Sequence, residues 1–167
     1  MFWRQGYEAT SLDDLTRAMG LSRSSFYGCF GSKHDVLLRA LRAYAERSVA
    51  ELTAVAQEAP SPRAALERMI RTIVETQNGD RGCLMVNCIT ELAPHDRAVQ
   101  TVIHEHIARV EGLMAQTIAQ AAPHAAADRA RALVALTLGA ITLRKAGLPG
   151  DQVDAALQQA DPLLPDG

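Results

Sequence analysis

Apolar residues recur every three or four positions through most of this chain of 167 residues. That spacing places them on one face of an α-helix, and no stretch of useful length alternates apolar and polar residues as a half-buried strand would. The pattern therefore predicts an all-α fold. Proline, glycine and capping residues divide it into helices at 12–19, 23–30, 35–59, 62–77, 82–93, 95–122, 125–146 and 151–160, with a turn at 78–80 and a frayed tail at 161–167.

The segment 11–33 contains two short helices joined by a tight turn. Ser11 is a suitable N-cap, and Asp13 and Asp14 follow in the first turn, where the helix dipole favours negative charge. Gly20 provides the backbone freedom to end the first helix, and Ser22 is a new N-cap for the second. Two helices joined by a glycine-containing turn form the helix-turn-helix pattern.

The second of these helices carries side chains that suit DNA. Its N-terminal residues, Arg23 and Ser24, are candidates for contacts with base edges. Hydroxyls and cations around the helix can hold phosphates, while Phe26 and Phe30, four positions apart, face the core. The predicted DNA-binding residues are Thr10, Ser11, Ser22, Arg23, Ser24, Ser25, Tyr27 and Lys33, with Thr10 or Ser11 as the cap of the preceding helix.

The net charge of −2 is divided unevenly along the chain. Residues 1–47 hold seven Lys or Arg against five Asp or Glu, whereas residues 48–167 hold ten against fourteen. A basic N-terminal part on an acidic body fits a protein that faces nucleic acid. Because an excess of two positive charges is modest, DNA affinity requires two such parts acting together, which implies a dimer.

The N-terminal residues resemble the DNA-binding domain of the tetracycline-repressor (TetR) family of bacterial regulators. The resemblance implies a homodimeric repressor that binds a palindromic double-stranded DNA operator and is released by a small effector. The Gly28-Cys29 pair departs from the family, which often has an aromatic residue or His there. The matching positions are Gly6-Tyr7, Thr10-Ser11, Asp13-Asp14, Gly20-Leu21-Ser22, Ser25-Phe26-Tyr27, Phe30 and Lys33.

A second block, 82–94, is similar to an element of some C-terminal domains of this family, a Gly-Cys-Leu-aliphatic-Asn run followed by Glu-Leu-Ala and Pro. The resemblance implies a helix-turn-helix domain at 1–47 and a helical effector-binding and dimerisation domain at 48–167, whose last two helices pair with a second subunit. The predicted cavity residues are Met69, Ile73, Leu84, Asn87, Cys88, His104 and Ile107. The predicted dimer contacts are Leu136, Gly139, Ala140, Leu143, Val153 and Leu157, which as an alternative belong to the core of one chain.

Other chemistry has weaker support in the sequence. Cys83 and Cys88 are either buried hydrophobes or sensors of oxidants and electrophiles, and their spacing on a helix opposes a disulfide between them. His95, His104 and His106 lack the spacing of a metal site. There is neither a phosphate-binding glycine loop nor a nucleophile elbow. We therefore expect no metal, no cofactor and no enzymatic activity.

The first residues match only the end of the first helix of the family's DNA-binding domain, as if most of that helix were absent. We therefore expect a loosened N-terminal domain in which apolar faces of Leu12, Leu15, Phe26 and Phe30 are uncovered. No signal pattern or apolar run of membrane-spanning length is present, so we expect a cytoplasmic protein with no membrane partner. Two alternative functions are a binding and dimerisation module without operator binding, and a cysteine-based sensor.

Overall fold

The computed structural model describes residues 1–75 and 83–166, and this part of the chain is all α with no strand, as predicted. Within these described residues, nine α-helices are followed by one turn of 3₁₀ helix at Asp161–Leu163. The predicted turn at 78–80 and the end at 77 of the helix predicted over 62–77 lie outside the described residues. The helices are α1 (Phe2–Gln5), α2 (Leu12–Met19), α3 (Arg23–Phe30), α4 (Lys33–Gln57), α5 (Pro62–Val74), α6 (Leu84–Glu91), α7 (Arg97–Ala119), α8 (Ala126–Lys145) and α9 (Gly150–Gln158).

Local capping residues set several of the helix boundaries. Ser32 accepts a hydrogen bond from Asp35 N, so α4 begins at Lys33, two residues before its predicted start. Ser61 caps α5, which has Pro62 in its first turn as predicted. Because a cap satisfies an otherwise unpaired N–H of the first turn, each of these serines fixes where its helix begins.

The core of the C-terminal part lies where α7 and α8 pack on each other and on α5. These three helices contribute several of its largest fully buried side chains: Leu66 and Met69 from α5, Met114 and Ile118 from α7, and Leu133 from α8. Burying each such side chain contributes about 1.5–3 kcal/mol. None of the described helices is both long enough and apolar enough to cross a bilayer.

The N-terminal part has an apolar core of its own that is continuous with the rest. Phe26 is fully buried, Leu15 is buried and Phe2 from α1 joins the same cluster. The expectation that Leu15 and Phe26 are uncovered is therefore wrong, because these side chains have packing partners in the described part of the chain. Leu12 and Phe30 are half-buried against the cluster.

The end of the chain is docked rather than frayed, which corrects the sequence prediction. The Arg63 guanidinium contacts the carboxylate of Asp161 and donates to the Pro165 carbonyl oxygen at 3.3 Å. Leu164 is buried. Arg63 of α5, about a hundred residues earlier in the sequence, and the burial of Leu164 hold this segment in place.

Candidate nucleic-acid interface and internal cavity

The α2–turn–α3 segment has the helix-turn-helix geometry that its sequence predicts. Ser11 forms a reciprocal capping box with Asp14: Ser11 Oγ accepts from Asp14 N at 3.1 Å, and Asp14 Oδ2 accepts from Ser11 N at 3.0 Å. Hydrogen bonds from Ser11 lower the pKa of the Asp14 carboxyl. Gly20 ends α2 in the left-handed conformation with φ 65°, and Ser22 caps α3. Ser11, not Thr10, is therefore the cap of α2.

One face of α3 is open to solvent, and the other is anchored in the core. Ser24, Ser25 and Tyr27 are exposed, with Tyr27 at 55% of its full exposure. Ser22 Oγ lies 3.0 Å from Ser24 Oγ and 2.9 Å from Ser25 Oγ. Phe26 is fully buried behind them. The result is a row of hydroxyls at the start of an exposed helix, which suits contacts with phosphate oxygens.

Arg23, the predicted base-contacting cation, is paired with an acid on the neighbouring helix. Its Nε and Nη2 donate to Asp13 Oδ1 at 2.9 and 2.7 Å, and Nη2 also donates to Asp13 Oδ2 at 2.9 Å. Both side chains are more than half exposed. An ion pair of this kind contributes only about 0–1 kcal/mol to stability, so Arg23 can exchange its carboxylate partner for another anion.

Thr10 and Lys33 point into the protein, which corrects their predicted role on DNA. Thr10 is completely buried and its Oγ1 donates to Gly6 O at 2.6 Å. Lys33 Nζ donates to Tyr7 O and Thr10 O, both at 3.0 Å, and lies 4.1 Å from the centroid of the Tyr7 ring. Both residues hold the turn 6–10, which connects α1 to α2.

The turn 6–10 is also bound to α6 by a carboxylate that the sequence analysis did not single out. Glu91 Oε1 accepts from Tyr7 N at 2.9 Å and from Glu8 N at 3.0 Å, and Glu91 Oε2 accepts from Tyr7 N at 3.1 Å. Gly6 makes this approach possible, since its φ is 83° and an added Cβ would lie 3.0 Å from Glu91 Oε1. Residues more than eighty positions apart thus join the helix-turn-helix to the C-terminal part.

A second polar contact joins α4 to α7 nearby. His34 Nε2 lies 2.6 Å from Asp96 Oδ2, and Asp96 caps α7 by accepting from Ala98 N and Val99 N at 3.0 Å. Burial alone would raise the pKa of the Asp96 carboxyl, but the hydrogen bonds from Val99 N, His34 and Ala98 N lower it overall. Two carboxylates, Glu91 and Asp96, therefore join the N-terminal part to the C-terminal part.

A cavity of about 820 Å³ lies behind these contacts, within the usual range for small-molecule sites. It reaches from the N-terminal part into the C-terminal part, because Trp3 of α1 contributes to its wall together with residues of five longer helices. The lining residues are Trp3, Tyr44, Arg47, Ser48, Glu51, Leu52, Thr72, Ile73, Glu75, Cys83, Met85, Ile89, His106, Ile107, Val110, Val134, Thr137, Leu138 and Ile141.

Of the predicted cavity residues, only Ile73 and Ile107 are in this lining. Met69, Leu84 and Cys88 are buried in the core instead. Asn87 Oδ1 accepts from Lys145 Nζ at 2.5 Å, away from the cavity wall. His104 is exposed, and His106, two positions further along α7, faces the cavity in its place. The periodicity identified the helix but not which of its histidines points inward.

Two of the three cysteines are buried, as the first of the two interpretations expected. Cys83 lines the cavity, with its Sγ 3.2 Å from the Tyr44 hydroxyl. Burial, followed by the proximity of Cys83, raises the pKa of Tyr44. Burial also raises the pKa of the Cys88 thiol to about 11, so Cys88 carries almost no thiolate at neutral pH. Cys29 is exposed on α3.

The predicted dimer positions divide into two groups. Ala140 and Val153 are buried within the chain, so the prediction is wrong for them and the core alternative holds. Leu143 and Gly139 are exposed on α8, and an added Cβ at Gly139 would have no atom within 4 Å. Leu136 and Leu157 are half-buried.

Comparison with known proteins gives relatives of one kind. A family model described as bacterial regulatory proteins of the tetR family matches residues 1–41. The chain is 33% identical over 102 residues to YezE of Bacillus subtilis, an uncharacterized HTH-type transcriptional regulator, covering 58% of this chain and 51% of that protein. It is 30% identical over 124 residues to the HTH-type transcriptional repressor ComR of Escherichia coli, covering 72% of this chain and 59% of ComR. The chain thus spans about half of YezE and six-tenths of ComR.

Solved structures share nearly the whole architecture. A cysteine mutant of the TetR family transcriptional regulator CifR, in complex with 26-bp double-strand operator DNA, superposes with a TM-score of 0.82 at 26% identity. The match covers 98% of this chain and 91% of that one. These relatives are named as transcriptional regulators and repressors.

Proposed function

Because this chain belongs to the TetR family of bacterial regulatory proteins, we propose that it is a transcriptional repressor. In this proposal two copies bind a palindromic operator, and a small effector releases them. Residues 1–47 act as the DNA-binding domain, and residues 48–167 act as the effector-binding and dimerisation domain.

The observation that carries the proposal is the exposed face of α3 in the helix-turn-helix that α2 and α3 form. Arg23 and Ser24 stand at the start of the helix, where base edges are reached, and the hydroxyls of Ser25 and Tyr27 lie on the same exposed helix. The operator-bound structure of CifR shows that a relative with this architecture binds DNA. We propose Ser11, Ser22, Arg23, Ser24, Ser25 and Tyr27 as the DNA-contacting residues.

Dimerisation is proposed through α8 and α9. Leu136, Gly139 and Leu143 recur at spacings of three and four on α8 and remain at least partly accessible, and Leu157 on α9 is half-buried. The absence of a side chain at Gly139 permits a close approach of a second helix. Two copies would double the modest positive charge of residues 1–47 at the DNA.

Release by an effector is proposed to use the cavity, which touches every element that orients the helix-turn-helix. Met85 and Ile89 of α6 line it, and α6 ends at Glu91, which binds the turn 6–10. Trp3 and Tyr44 line it from α1 and α4. An occupant that displaces any of these helices changes the distance between the two recognition helices of a dimer, and operator affinity falls with it.

The proposal is tested by adding the protein to fluorescently labelled DNA from upstream of its own gene. Binding is measured at low salt as the change in fluorescence anisotropy of the DNA. Arg23→Ala is expected to weaken binding more than tenfold. Arg131→Ala is the matched control, since Arg131 is equally exposed, also pairs with an aspartate and lies on α8. If both variants change DNA affinity equally, or if a folded dimer shows no specific DNA binding, operator recognition by α3 is refuted. The protein would then be a binding and dimerisation module without operator binding.

A second candidate function, a cysteine-based sensor, is favoured by the position of Cys83 on the cavity wall. An activated alkene could form an S–C bond with Cys83 Sγ, and the thiol proton would pass to the neighbouring carbon of the alkene. Cys83→Ser is then expected to abolish release from DNA by such a compound, with Cys88→Ser as the control. Release that is unchanged in Cys83→Ser would exclude this candidate.

A further inference from the structure

His106 has a buried nitrogen with no hydrogen-bond partner. Among the side chains that the structure describes, His106 Nδ1 is the one buried nitrogen or oxygen atom that lacks a hydrogen-bond partner. The residue is only 9% exposed, and it lines the cavity from α7. Buried polar atoms are almost always paired, so an unpaired one on a cavity wall indicates that its partner is a bound molecule.

The ring of His106 continues a row of aromatic rings. Trp3 meets Tyr44 edge-to-face with centroids 5.4 Å apart, and Tyr44 meets His106 at 6.3 Å with the rings inclined by 63°. Aromatic rings of a ligand pack favourably against such edges and faces. Nδ1 itself has almost no accessible surface, so the imidazole ring must rotate about its Cβ–Cγ bond to present this atom to a ligand.

The charges of the lining indicate an uncharged ligand. Its formally charged residues are Arg47, Glu51 and Glu75, which are all exposed, with one more acid than base. Burial, and then the positive charge of Arg109, lower the pKa of His106, so its ring is neutral at pH 7. A neutral imidazole has one donor and one acceptor nitrogen. Among the described lining residues Arg47 is the one formal cation, and the acids Glu51 and Glu75 outnumber it, which disfavours a carboxylate ligand.

We propose that the cavity binds an uncharged aromatic compound that carries a hydroxyl group. The aromatic ring packs against Trp3 and Tyr44, and the hydroxyl pairs with the imidazole of His106. This inference rests on the proposed function in one respect, since it identifies the chemical class of the effector. It adds that the effector touches α1 of the DNA-binding part directly, through Trp3.

Three naphthalene derivatives serve as probes: 2-naphthol, naphthalene up to its solubility, and 2-naphthoate. Trp3 is the single tryptophan of the chain, so labelling with 5-fluorotryptophan gives one ¹⁹F resonance that reports on the cavity. We expect 2-naphthol to shift this resonance and to bind at least tenfold more tightly than either other probe. Stronger binding of 2-naphthoate, or a resonance that does not move at saturation with 2-naphthol, would overturn the proposal.

Two substitutions separate hydrogen bonding from packing. His106→Phe keeps a flat ring. We expect it to lower the affinity for 2-naphthol about tenfold and to leave the affinity for naphthalene unchanged. His106→Gln restores a donor and an acceptor, and we expect it to bind 2-naphthol within about threefold of the unsubstituted protein. Unchanged 2-naphthol affinity in a folded His106→Phe variant would overturn the assignment.

Operator binding measured in parallel separates this inference from the proposed function. If the protein binds operator DNA but not 2-naphthol, the ligand class is wrong and the repressor proposal stands. If 2-naphthol binds as expected but no DNA is bound with or without it, the ligand class stands and the repressor proposal is wrong.

Discussion

Replacement of Glu91 by Gln tests whether α6 orients the helix-turn-helix. The carboxylate accepts hydrogen bonds from two backbone N–H groups, those of Tyr7 and Glu8, at 2.9–3.1 Å. A hydrogen bond to a charged group contributes about 1.5–3 kcal/mol. With the glutamine carbonyl oxygen at the Oε1 position, both N–H groups keep a neutral acceptor, but the negative charge is lost and the NH₂ group that replaces Oε2 faces Tyr7 N–H. We therefore expect the contact to weaken by about 1–2 kcal/mol.

Hydrogen exchange measures this contact directly, because the amides of Tyr7 and Glu8 are the donors. A loss of 1–2 kcal/mol corresponds to a rise in their exchange rates of roughly 5- to 30-fold. Glu105→Gln provides the control, since Glu105 is an exposed glutamate on α7 and undergoes the same chemical change. If both amides exchange at the same rate in Glu91→Gln as in the unsubstituted protein, Glu91 does not hold the turn 6–10.

Three further changes have expected outcomes. Gly6→Ala should lower the free energy of unfolding by about 1–3 kcal/mol in urea titration, because φ 83° with ψ 174° is accessible essentially only to glycine and the new methyl group would crowd Glu91. Asp13→Asn should tighten DNA binding several-fold at low salt, because it frees Arg23 and removes a negative charge, and its effect on stability should stay below about 1 kcal/mol; weaker binding would contradict this. Since the folded-state pKa of His106 lies below its ordinary value of 6.5, the unfolded chain binds more protons just below that pH, and stability falls on acidification. The fall in melting temperature on acidification should be smaller for His106→Phe than for the unsubstituted protein. An equal fall in both proteins would exclude His106 as its cause.

The parts of this fold that sequence reasoning predicted are those fixed by neighbouring residues. Ser11 with Asp14, Gly20 and Ser22 act within one helical turn of their own positions, so their spacing alone defined α2 and α3. Lys33 shows the limit of such reasoning. A cation beyond a recognition helix suggests phosphate, but the carbonyl oxygens of Tyr7 and Thr10 bind it from within the protein.

The remaining site features depend on contacts between distant parts of the chain. Glu91 reaches the turn 6–10 across more than eighty residues, and no local pattern marks it. His104 and His106 both lie on a helix rich in apolar residues, and only the packing of α7 against its neighbours decides which of them is buried. The same applies to the end of the chain, whose anchor at Arg63 belongs to α5.

The single helix α4 spans both proposed domains, which has a consequence for how the protein unfolds. Buried residues occur along its length, with Leu37 and Leu41 before the boundary at 47/48 and Leu52 after it. A helix is a cooperative unit, so one half of α4 cannot lose its packing without weakening the other. Calorimetry should therefore show one transition for the whole molecule, with equal calorimetric and van't Hoff enthalpies, rather than separate melting of a small and a large domain.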